Sequence, residues 1–272
     1  MQTSPPTALT IAGSDSGGGA GLQADLKTFL ACRVHGLAAI TAVTAQNSLG
    51  VSGVYELPPR AVVEQIESVA SDIGIGAAKT GMLASAPIIE AIADTVRRLR
   101  IAPLVIDPVS ASQHGDPLLA PDAIDVLTGQ LFPLATLITP NLTEVSLLTG
   151  IEVRDRAGMR DAARALHAFG PQWVLVKGGH LPDDDPVGAL DLLYDGSRFV
   201  DVTAPRYDTV HTHGSGDTLA AAICAALARG ADLEAAVGEG KRFVTGAIAG
   251  GFPLGAGRGP VGHFWRVRDW PD

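Results

Sequence analysis

Long apolar runs are missing from this sequence of 272 residues, which excludes the simplest membrane architectures. No run reaches the roughly 18 to 20 residues that a membrane-spanning helix needs. The first ten residues, MQTSPPTALT, also lack the basic start and apolar core of a signal peptide. We therefore expect a cytoplasmic protein that has no membrane partner.

Cysteines and metal-binding motifs are also scarce. Cys32 and Cys224, the only cysteines, lie far apart in apolar stretches typical of helices, which favours reduced core thiols over a disulfide or metal site. Neither an HExxH motif nor a Cys/His cluster occurs, so His211 and His213 are interpreted as loop residues. The acidic run 183–185 before Pro186 predicts a solvated turn rather than a metal site.

Basic clusters are absent too, and the formal net charge is −9, which argues against a nucleic-acid-binding surface. Hydrophobic residues make up 46% of the chain and charged residues 18%, enough for a large core. Because no Pro/Ser-rich linker divides the chain, we expect a single domain over residues 1–272, with a flexible N-terminal stretch at 1–7. Its partners should be small molecules, and an anionic ligand would need positive potential from helix ends, lysines or a metal.

Short apolar runs alternate with amphipathic patterns along the chain. The runs predict buried parallel strands: ALTIAG, LAAITAVTA, IGAAKTG, PLVIDPV, ATLITPN and WVLVKGG. The patterns between them predict helices: GLQADLKTFLACR, AVVEQIESVASDI, APIIEAIADTVRRLR and MRDAARALHAFG. The Asp-Gly pair in DLLYDGSRFVDVTAP predicts a β-hairpin at one sheet edge. This alternation is typical of an α/β sheet covered by helices.

Unusual polar residues follow the predicted strands. Ligands of such sheets bind outside the carboxyl ends of the strands, so these residues predict a site at that edge. Each one alone could equally be an ordinary turn residue. They are Gly13 and Asp15 after the first strand, Gln46 and Asn47 after the second, then Met82, Asp107 and Asn141, and Lys177 with Gly178 and Gly179 after the sixth.

The stretch HTHGSGDTLAAAICAALARG places a glycine-rich turn directly before an alanine-rich helix. A helix N-terminus exposes unpaired N–H groups and partial positive charge, which suits a phosphate. Asp217 would then accept a proton from a substrate hydroxyl while the turn holds the transferring phosphoryl group. The alternative is that Asp217 only caps the helix.

The other candidates also have a functional and a structural interpretation. The glycine-rich stretch 13–27 does not give the dinucleotide fingerprint followed by an acidic residue that ends a second strand, because the next strand ends in TAQN. No GxxxxGK[ST] loop occurs either. Those glycines form either a backbone wall beside a flat ligand or a flexible turn. Asp25 lies in the first turns of the next helix and could be a surface acid. Gln46 could pair with the edge of a heterocycle, or it could be a turn amide.

Three further residues suit a nucleotide and its metal. Glu144 matches the capping-box partner of Asn141, or it helps hold magnesium together with waters. Asp107 could be a further ligand of the magnesium, or it could be a turn residue before Pro108. Lys177 could neutralise phosphate oxygens, or its ammonium could simply reach solvent.

A family resemblance runs nearly end to end. It is carried by LTIAGSDSGGGAGLQADLKTF, TAVTAQNSLGV, AKTGMLAS, DPVSASQHGDPLL, LITPNLTEVSLLTG, VLVKGGH, HGSGDTLAAAI and GRGPV. Together these segments resemble the ribokinase-like superfamily, and within it the hydroxymethylpyrimidine and phosphomethylpyrimidine kinases of thiamin biosynthesis. The resemblance implies a three-layer α/β/α fold around a mostly parallel sheet, and a homodimer. It also implies ATP- and Mg²⁺-dependent phosphorylation of 4-amino-5-hydroxymethyl-2-methylpyrimidine, and then of its monophosphate, to the pyrophosphate.

The resemblance also assigns roles to individual residues. Asp217 would be the base, in a family whose pyrimidine kinases commonly have cysteine there, although the wider superfamily usually has aspartate. The anion hole would be Gly214, Ser215 and Gly216, with Lys177 beside it. The pyrimidine pocket would be Gly19, Asp25, Gln46, Met82 and Val109. ATP and magnesium would be served by Asn141, Glu144, Lys177 and Gly179, with Asp107 as a further metal ligand.

Three other functions compete with this one. A pyridoxal or pyridoxine kinase shares the fold and usually carries the aspartate, but Gln46 and GAGLQAD favour an aminopyrimidine because glutamine offers paired hydrogen bonds. A non-catalytic nucleotide- or vitamin-binding protein is disfavoured by the set of Lys177, Glu144 and GSGD. A sugar kinase is disfavoured because no extra strands that could form a lid are evident.

Overall fold

The computed structural model describes residues 4–110, 119, 122–179, 181 and 188–266. Its strands are β1 (Thr7–Ala12), β2 (His35–Ile40), β3 (Ala42–Asn47), β4 (Gly50–Glu56), β5 (Ala77–Thr80), β6 (Leu104–Ile106), β7 (Leu137–Ile138), β8 (Trp173–Lys177), β9 (Ala189–Tyr194) and β10 (Phe199–Ala204). Its α-helices are α1 (Gly21–Ala31), α2 (Pro59–Asp72), α3 (Ala86–Leu99), α4 (Ala123–Val126), α5 (Leu142–Thr149), α6 (Arg156–His167), α7 (Ser215–Ala228) and α8 (Leu233–Ala249). A π-helical turn at Leu127–Leu131 and a 3₁₀ turn at Phe132–Leu134 continue α4.

Eight strands form one sheet in the order β10-β9-β8-β7-β6-β5-β1-β2. Six neighbouring strands of this sheet are parallel: β2, β1, β5, β6, β7 and β8. β9 pairs antiparallel with β8 and with β10. The predicted hairpin is therefore present at one edge. Asp195 and Gly196 lie in its turn, where Gly196 has a φ of +91°.

Helices cover both faces of this sheet. One core packs α2, α3, α5 and α6 against strand residues such as Leu9, Ile11 and Ile106. The other core packs α1, α7 and α8 against the alternate residues of the same strands, such as Ala8 and Val105. Because both faces are covered, the central strands are apolar throughout rather than alternating. The result is the expected three-layer α/β/α arrangement.

The second predicted strand is wrong as a single element. LAAITAVTA divides at Thr41, whose backbone N–H donates to Ala12 O and whose hydroxyl donates to Met82 O. β2 stays in the main sheet, while β3 turns away and pairs antiparallel with β4 in a separate two-stranded sheet. The alternation of exposed Val43 and buried Thr44 fits a strand with one covered face.

This small sheet also overturns the expectation that the chain has no extra strands beside its main sheet. β4 was not predicted, because GVSGVYE carries two glycines and no continuous apolar run. Therefore the lack of extra strands cannot be used against a sugar kinase.

Pro6 and Thr7, at the end of the N-terminal stretch, are held at the main sheet. Thr7 is the first residue of β1, and Pro6 O accepts a hydrogen bond from the backbone N–H of His35. Residues 1–3 and the acidic run 183–185 lie outside the described residues. Within the part of the chain that is described, no helix is long and apolar enough to cross a membrane.

Truncating Ile92 should test the larger core. The Ile92 side chain on α3 is fully buried, so Ile92→Ala should lower the free energy of unfolding by about 2–5 kcal/mol. Leu30 on α1 is 78% exposed, and Leu30→Ala should change it by less than about 0.5 kcal/mol. Urea unfolding of both variants measures the difference, and equal losses would contradict the packing described here.

Candidate active site

A cleft of about 460 Å³ lies at the carboxyl ends of the parallel strands. Most of the residues predicted for the site line it, and they come from strand ends and from the start of α7. Three predicted residues, Gly19, Asp25 and Gly179, are not among the lining residues. The predicted residues that do line it are Gln46, Met82, Asp107, Val109, Asn141, Glu144, Lys177, Gly214, Ser215, Gly216 and Asp217.

The start of α7 is built on glycine. Gly214 precedes the helix with a φ of +78°, a left-handed conformation that favours glycine. A Cβ atom at Gly214 would also overlap the backbone oxygen of Gly19. The glycine-rich stretch and the HGSGD turn are therefore in direct backbone contact. Gly19 makes this contact without lining the cleft.

Asp217 occupies the first turn of α7 but does not cap it, since no side-chain cap hydrogen bond is present. Its Oδ1 instead lies 3.0 Å from the ammonium of Lys79, a fully buried lysine on β5. Lys79 also donates to both carboxylate oxygens of Asp25, at 2.8 and 2.9 Å. Thr10 on β1 donates to Asp25 at 2.6 Å. The capping interpretation of Asp217 and the surface interpretation of Asp25 are both wrong.

The buried charges set the protonation of this network. Burial alone would raise the pKa of Asp217, but the ammonium of Lys79 and the backbone N–H of Gly21 outweigh burial and lower it. Burial raises the pKa of Asp25 to about 7, against the opposing effect of Lys79. The two carboxylates raise the pKa of Lys79 in spite of its burial. Lys79 therefore stays charged, and Asp217 presents an ionised oxygen to the cleft.

A second carboxylate, Asp15, organises the glycine wall. It accepts hydrogen bonds from the backbone N–H groups of Gly17, Gly19 and Ala20, at 2.8 to 2.9 Å. Its Oδ2 also lies 3.0 Å from Nε2 of His213, the residue before Gly214. Burial opposes these contacts, but His213 and the N–H groups lower the pKa of Asp15. The glycine wall is thus tied by side chains as well as by backbone to the turn that enters α7.

The opposite part of the cleft holds Lys177, Asp107 and Glu144. The ammonium of Lys177 lies 2.7 Å from Asp107 Oδ1 and 4.0 Å from Glu144 Oε2. A Cβ at Gly216 would lie 3.3 Å from the same ammonium, so this cluster adjoins the first turn of α7. The cluster therefore lies where a phosphate at the helix N-terminus would meet it.

Asn141 and Glu144 form the capping box of α5. The Asn141 side chain accepts from the Glu144 N–H at 2.9 Å, and Glu144 Oε2 accepts from the Asn141 N–H at 2.7 Å. Burial raises the pKa of Glu144 to about 7, although Lys177 opposes the shift. Both residues also line the cleft. The structural interpretation of this pair is therefore correct and leaves room for the functional one.

The donor set fits a Mg²⁺ ion. Asp107 Oδ2 and Glu144 Oε1 accept no hydrogen bond from the described residues, so each carboxylate keeps one oxygen for a cation. Among those same residues, no group of three or more His, Cys, Asp or Glu could hold a metal alone. Mg²⁺ commonly binds one or two carboxylates together with waters and substrate phosphates, and it needs no complete protein cage.

The remaining wall suits a flat ring. Gln46 comes from the small sheet, and its Oε1 accepts from the Thr44 hydroxyl at 3.3 Å, which leaves its amide N–H groups without a partner among the described residues. Met82 follows β5 and Val109 follows β6, and both line the cleft with apolar surface. This part of the cleft combines apolar contact with an amide donor.

Several residues of the site were missed or left without a role by sequence reasoning. Lys79 had a usable signal, because a lysine within the buried strand AAKT needs a carboxylate partner. Asp15 was placed at the rim without a role, and His213 was interpreted only as a loop residue. Arg258 was not considered, although it is an exposed residue that lines the cleft. Local patterns do not reveal such pairings, since Asp15 and His213 are 198 residues apart.

Comparison with known proteins identifies the family of this chain. A family model described as phosphomethylpyrimidine kinase matches residues 15–262. The hydroxymethylpyrimidine/phosphomethylpyrimidine kinase of Mycobacterium tuberculosis (strain ATCC 25618 / H37Rv) is 58% identical over 264 residues, which cover 97% of this chain and 95% of the relative.

Solved structures are similar to this chain in fold. An ADP complex of Bacillus subtilis pyridoxal kinase is similar with a TM-score of 0.90 and 40% identity, covering 98% of this chain and 100% of that chain. A phosphomethylpyrimidine kinase from Clostridium difficile 630 gives a TM-score of 0.78 and 41% identity, covering 89% and 99%. The ribokinase-like fold expected from the sequence is confirmed. Matched in sequence and in fold along nearly its whole length, the chain belongs to the phosphomethylpyrimidine kinase family.

Proposed function

We propose that this protein transfers the γ-phosphoryl group of ATP to the hydroxymethyl group of 4-amino-5-hydroxymethyl-2-methylpyrimidine, and then phosphorylates the monophosphate to the pyrophosphate for thiamin biosynthesis. The observation that carries the proposal is the position of Asp217. It lies in the first turn of α7, in one cleft with the Lys177 cluster and with Gln46. A phosphoryl donor, an acceptor ring and a proton acceptor can therefore meet in this cleft.

The chain's residues divide the work of the first transfer. Gln46, Met82 and Val109 would hold the pyrimidine with its hydroxymethyl group toward Asp217. The N–H groups at the start of α7 would hold the transferring phosphoryl group. Lys177 would neutralise phosphate oxygens, and Asp107 and Glu144 would hold Mg²⁺, which supplies charge neutralisation when bound.

Asp217 is a weak base, since its pKa is lowered. In a loose phosphoryl-transfer transition state the hydroxyl loses its proton late, so orientation of the nucleophile matters more than base strength. Lys79 and the Gly21 N–H hold the carboxylate in one place. Asp217 therefore acts chiefly by orienting the hydroxyl and then receiving its proton.

The second transfer has a different proton balance. The second pKa of a phosphate monoester is about 6, so at neutral pH the attacking oxygen of the monophosphate carries no proton. The new bond joins that oxygen to the γ-phosphorus, the bond to the ADP oxygen breaks, and no proton has to leave the acceptor. Asp217 is therefore needed for the first transfer and dispensable as a proton acceptor in the second.

Pyridoxal phosphorylation is the second candidate. The observation that favours it is the TM-score of 0.90 with a pyridoxal kinase at 40% identity. Pyridoxal also carries a hydroxymethyl group on a flat nitrogen ring, so the same walls and the same aspartate could serve it.

Purified protein with Mg²⁺ and ATP tests both candidates. Hydroxymethylpyrimidine, its monophosphate and pyridoxal are offered separately, and products are identified by mass. Monophosphate and pyrophosphate products would support the proposal. Pyridoxal phosphate alone would replace it with the second candidate. If no acceptor gives a product, both kinase candidates are rejected, and the non-catalytic nucleotide- or vitamin-binding protein is favoured.

We also propose a single kinase domain over residues 1–272, located in the cytoplasm. One sheet that runs from β2 to β10 supports the first statement. Two free buried thiols, Cys32 and Cys224, and the need for ATP support the second.

A homodimer is proposed through the outer face of the small sheet. Val43 on β3 lies directly opposite Tyr55 on β4, so both side chains are on one face, and both are exposed. Tyr55 is 67% exposed and Leu49 in the connecting turn is 63% exposed. Exposed apolar groups that adjoin in this way are typical of a surface covered by another chain, and here we infer a second copy.

Asp217→Asn should separate the two transfers. Turnover of the hydroxymethyl substrate should fall on the order of a hundredfold or more, because the proton acceptor is lost. Turnover of the monophosphate should fall by less than about tenfold, because its attacking oxygen carries no proton. Rates with each acceptor and a melting curve check this, and near-normal turnover of the hydroxymethyl substrate would remove the proposed role.

Glu144→Gln should weaken magnesium binding without removing the cap of α5, since glutamine can also complete a capping box. The Mg²⁺ concentration for half-maximal rate should rise about tenfold, because a neutral amide replaces a charged ligand. Glu152→Gln, a change at an exposed acid, is the matched control. Equal Mg²⁺ dependence in both variants would exclude Glu144 as a ligand.

Tyr55→Asp should shift the protein from dimer to monomer, because the change places a charge on the proposed interface. Light scattering after size exclusion measures the mass at several concentrations. Tyr207→Asp changes another exposed tyrosine outside the small sheet and should leave the mass unaltered. A dimer that persists in Tyr55→Asp, or a monomeric native protein, would contradict this interface.

A further inference from the structure

Arg258 is a cation that lines the cleft and has no partner in the described part of the chain. It is exposed, and it makes no hydrogen bond or ion pair with the described residues. Lys177, the other strong cation of the lining, is already bound to Asp107 at 2.7 Å. The charge of Arg258 is therefore available to a ligand.

The backbone around Arg258 is hydrogen-bonded to the turn that follows Gln46 and to the segment that leads into α7. The N–H of Gly257 donates to Ser48 Oγ at 3.2 Å, and Ser48 is two residues beyond Gln46. The N–H of Gly259 donates to His211 Nδ1 at 3.0 Å, and its carbonyl accepts from the N–H of His213 at 3.2 Å. Arg258 is thus held between the turn after Gln46 and the turn that begins α7.

The cleft carries several negative charges that a further cation would balance. Asp15, Asp107, Glu144 and Asp217 all line it. A phosphorylated acceptor adds roughly two negative charges to a cleft that already holds these carboxylates. Lys177 and Mg²⁺ would already serve the triphosphate. An additional cation in the cleft, near the residues proposed to hold the acceptor ring, would offset this charge in the second transfer.

We propose that Arg258 binds the phosphate of the phosphorylated acceptor, a phosphate monoester on the pyrimidine ring, and so favours the second transfer. The inference rests on the proposed function and names a ligand group of that same cleft. A planar guanidinium can donate two parallel hydrogen bonds to one phosphate, which a lysine cannot do. Because the Arg258 side chain is exposed, it is free to turn toward the phosphate when the phosphorylated acceptor is bound.

The same chemistry could come from the phosphates of ATP, and kinetics separates the two sources. Arg258→Gln and Arg258→Lys are compared with wild type and with Arg242→Gln, a change at an exposed arginine on α8 that does not line the cleft. For each protein, KM and kcat are measured for the hydroxymethyl acceptor, for its monophosphate, and for ATP with either acceptor.

Arg258→Gln should raise KM for the monophosphate about tenfold or more, the loss expected for a hydrogen bond to a charged group. KM for the hydroxymethyl acceptor and for ATP should stay within about twofold, and Arg258→Lys should lie between wild type and Arg258→Gln. Arg242→Gln should match wild type throughout.

Equal changes for both acceptors would overturn the inference. A rise in KM for ATP with either acceptor would assign the arginine to the nucleotide instead, and would overturn it as well. Failure of the wild type to phosphorylate either pyrimidine would reject the proposed function. Calorimetric binding of the monophosphate to wild type and Arg258→Gln would then decide: a tenfold loss supports the inference, and equal affinity rejects it.

Discussion

The ion pairs of Lys79 with Asp25 and Asp217 join the centre of the sheet to both helices that frame the reaction. Lys79 has no exposed surface, so its charge requires carboxylates in contact with it. Asp25 belongs to α1 and Asp217 to α7, and each helix follows a glycine-rich turn. The position of Asp217, the proposed proton acceptor, is thus determined by a charge that the core cannot leave unpaired.

The glycines of the site extend this constraint to the surface. Gly214 and Gly19 approach so closely that a side chain at Gly214 would overlap the Gly19 carbonyl oxygen. The pairing of Asp15 with His213 joins the same two segments through side chains. The two glycine-rich segments of the cleft are therefore joined both through backbone and through side chains, whereas Arg258 is an exposed lining residue.

Sequence reasoning predicted the alternation of strands and helices, the edge hairpin and the rim of polar residues, because each of these follows from local periodicity or turn chemistry. It failed where the fold depends on distant partners. The division of β2 from β3 depends on hydrogen bonds from Thr41 to Ala12 and Met82, and the burial of Asp25 depends on Lys79. A helix acid looks the same in sequence whether it faces solvent or a buried lysine. The capping box of Asn141 and Glu144 was visible, since its partners are three residues apart.

The small sheet of β3 and β4 has a consequence for how this enzyme could diversify. Gln46 is carried by a pair of strands outside the eight-stranded sheet, whereas Asp217, Lys177 and Asp107 are anchored to the sheet and to α7. If Gln46 holds the ring as proposed, replacing residues of β3 and β4 would alter ring recognition without disturbing the ion pairs of Lys79 and Lys177. On the proposed function, selection for a different acceptor ring could therefore act on this hairpin while the residues proposed for phosphoryl transfer stay unchanged.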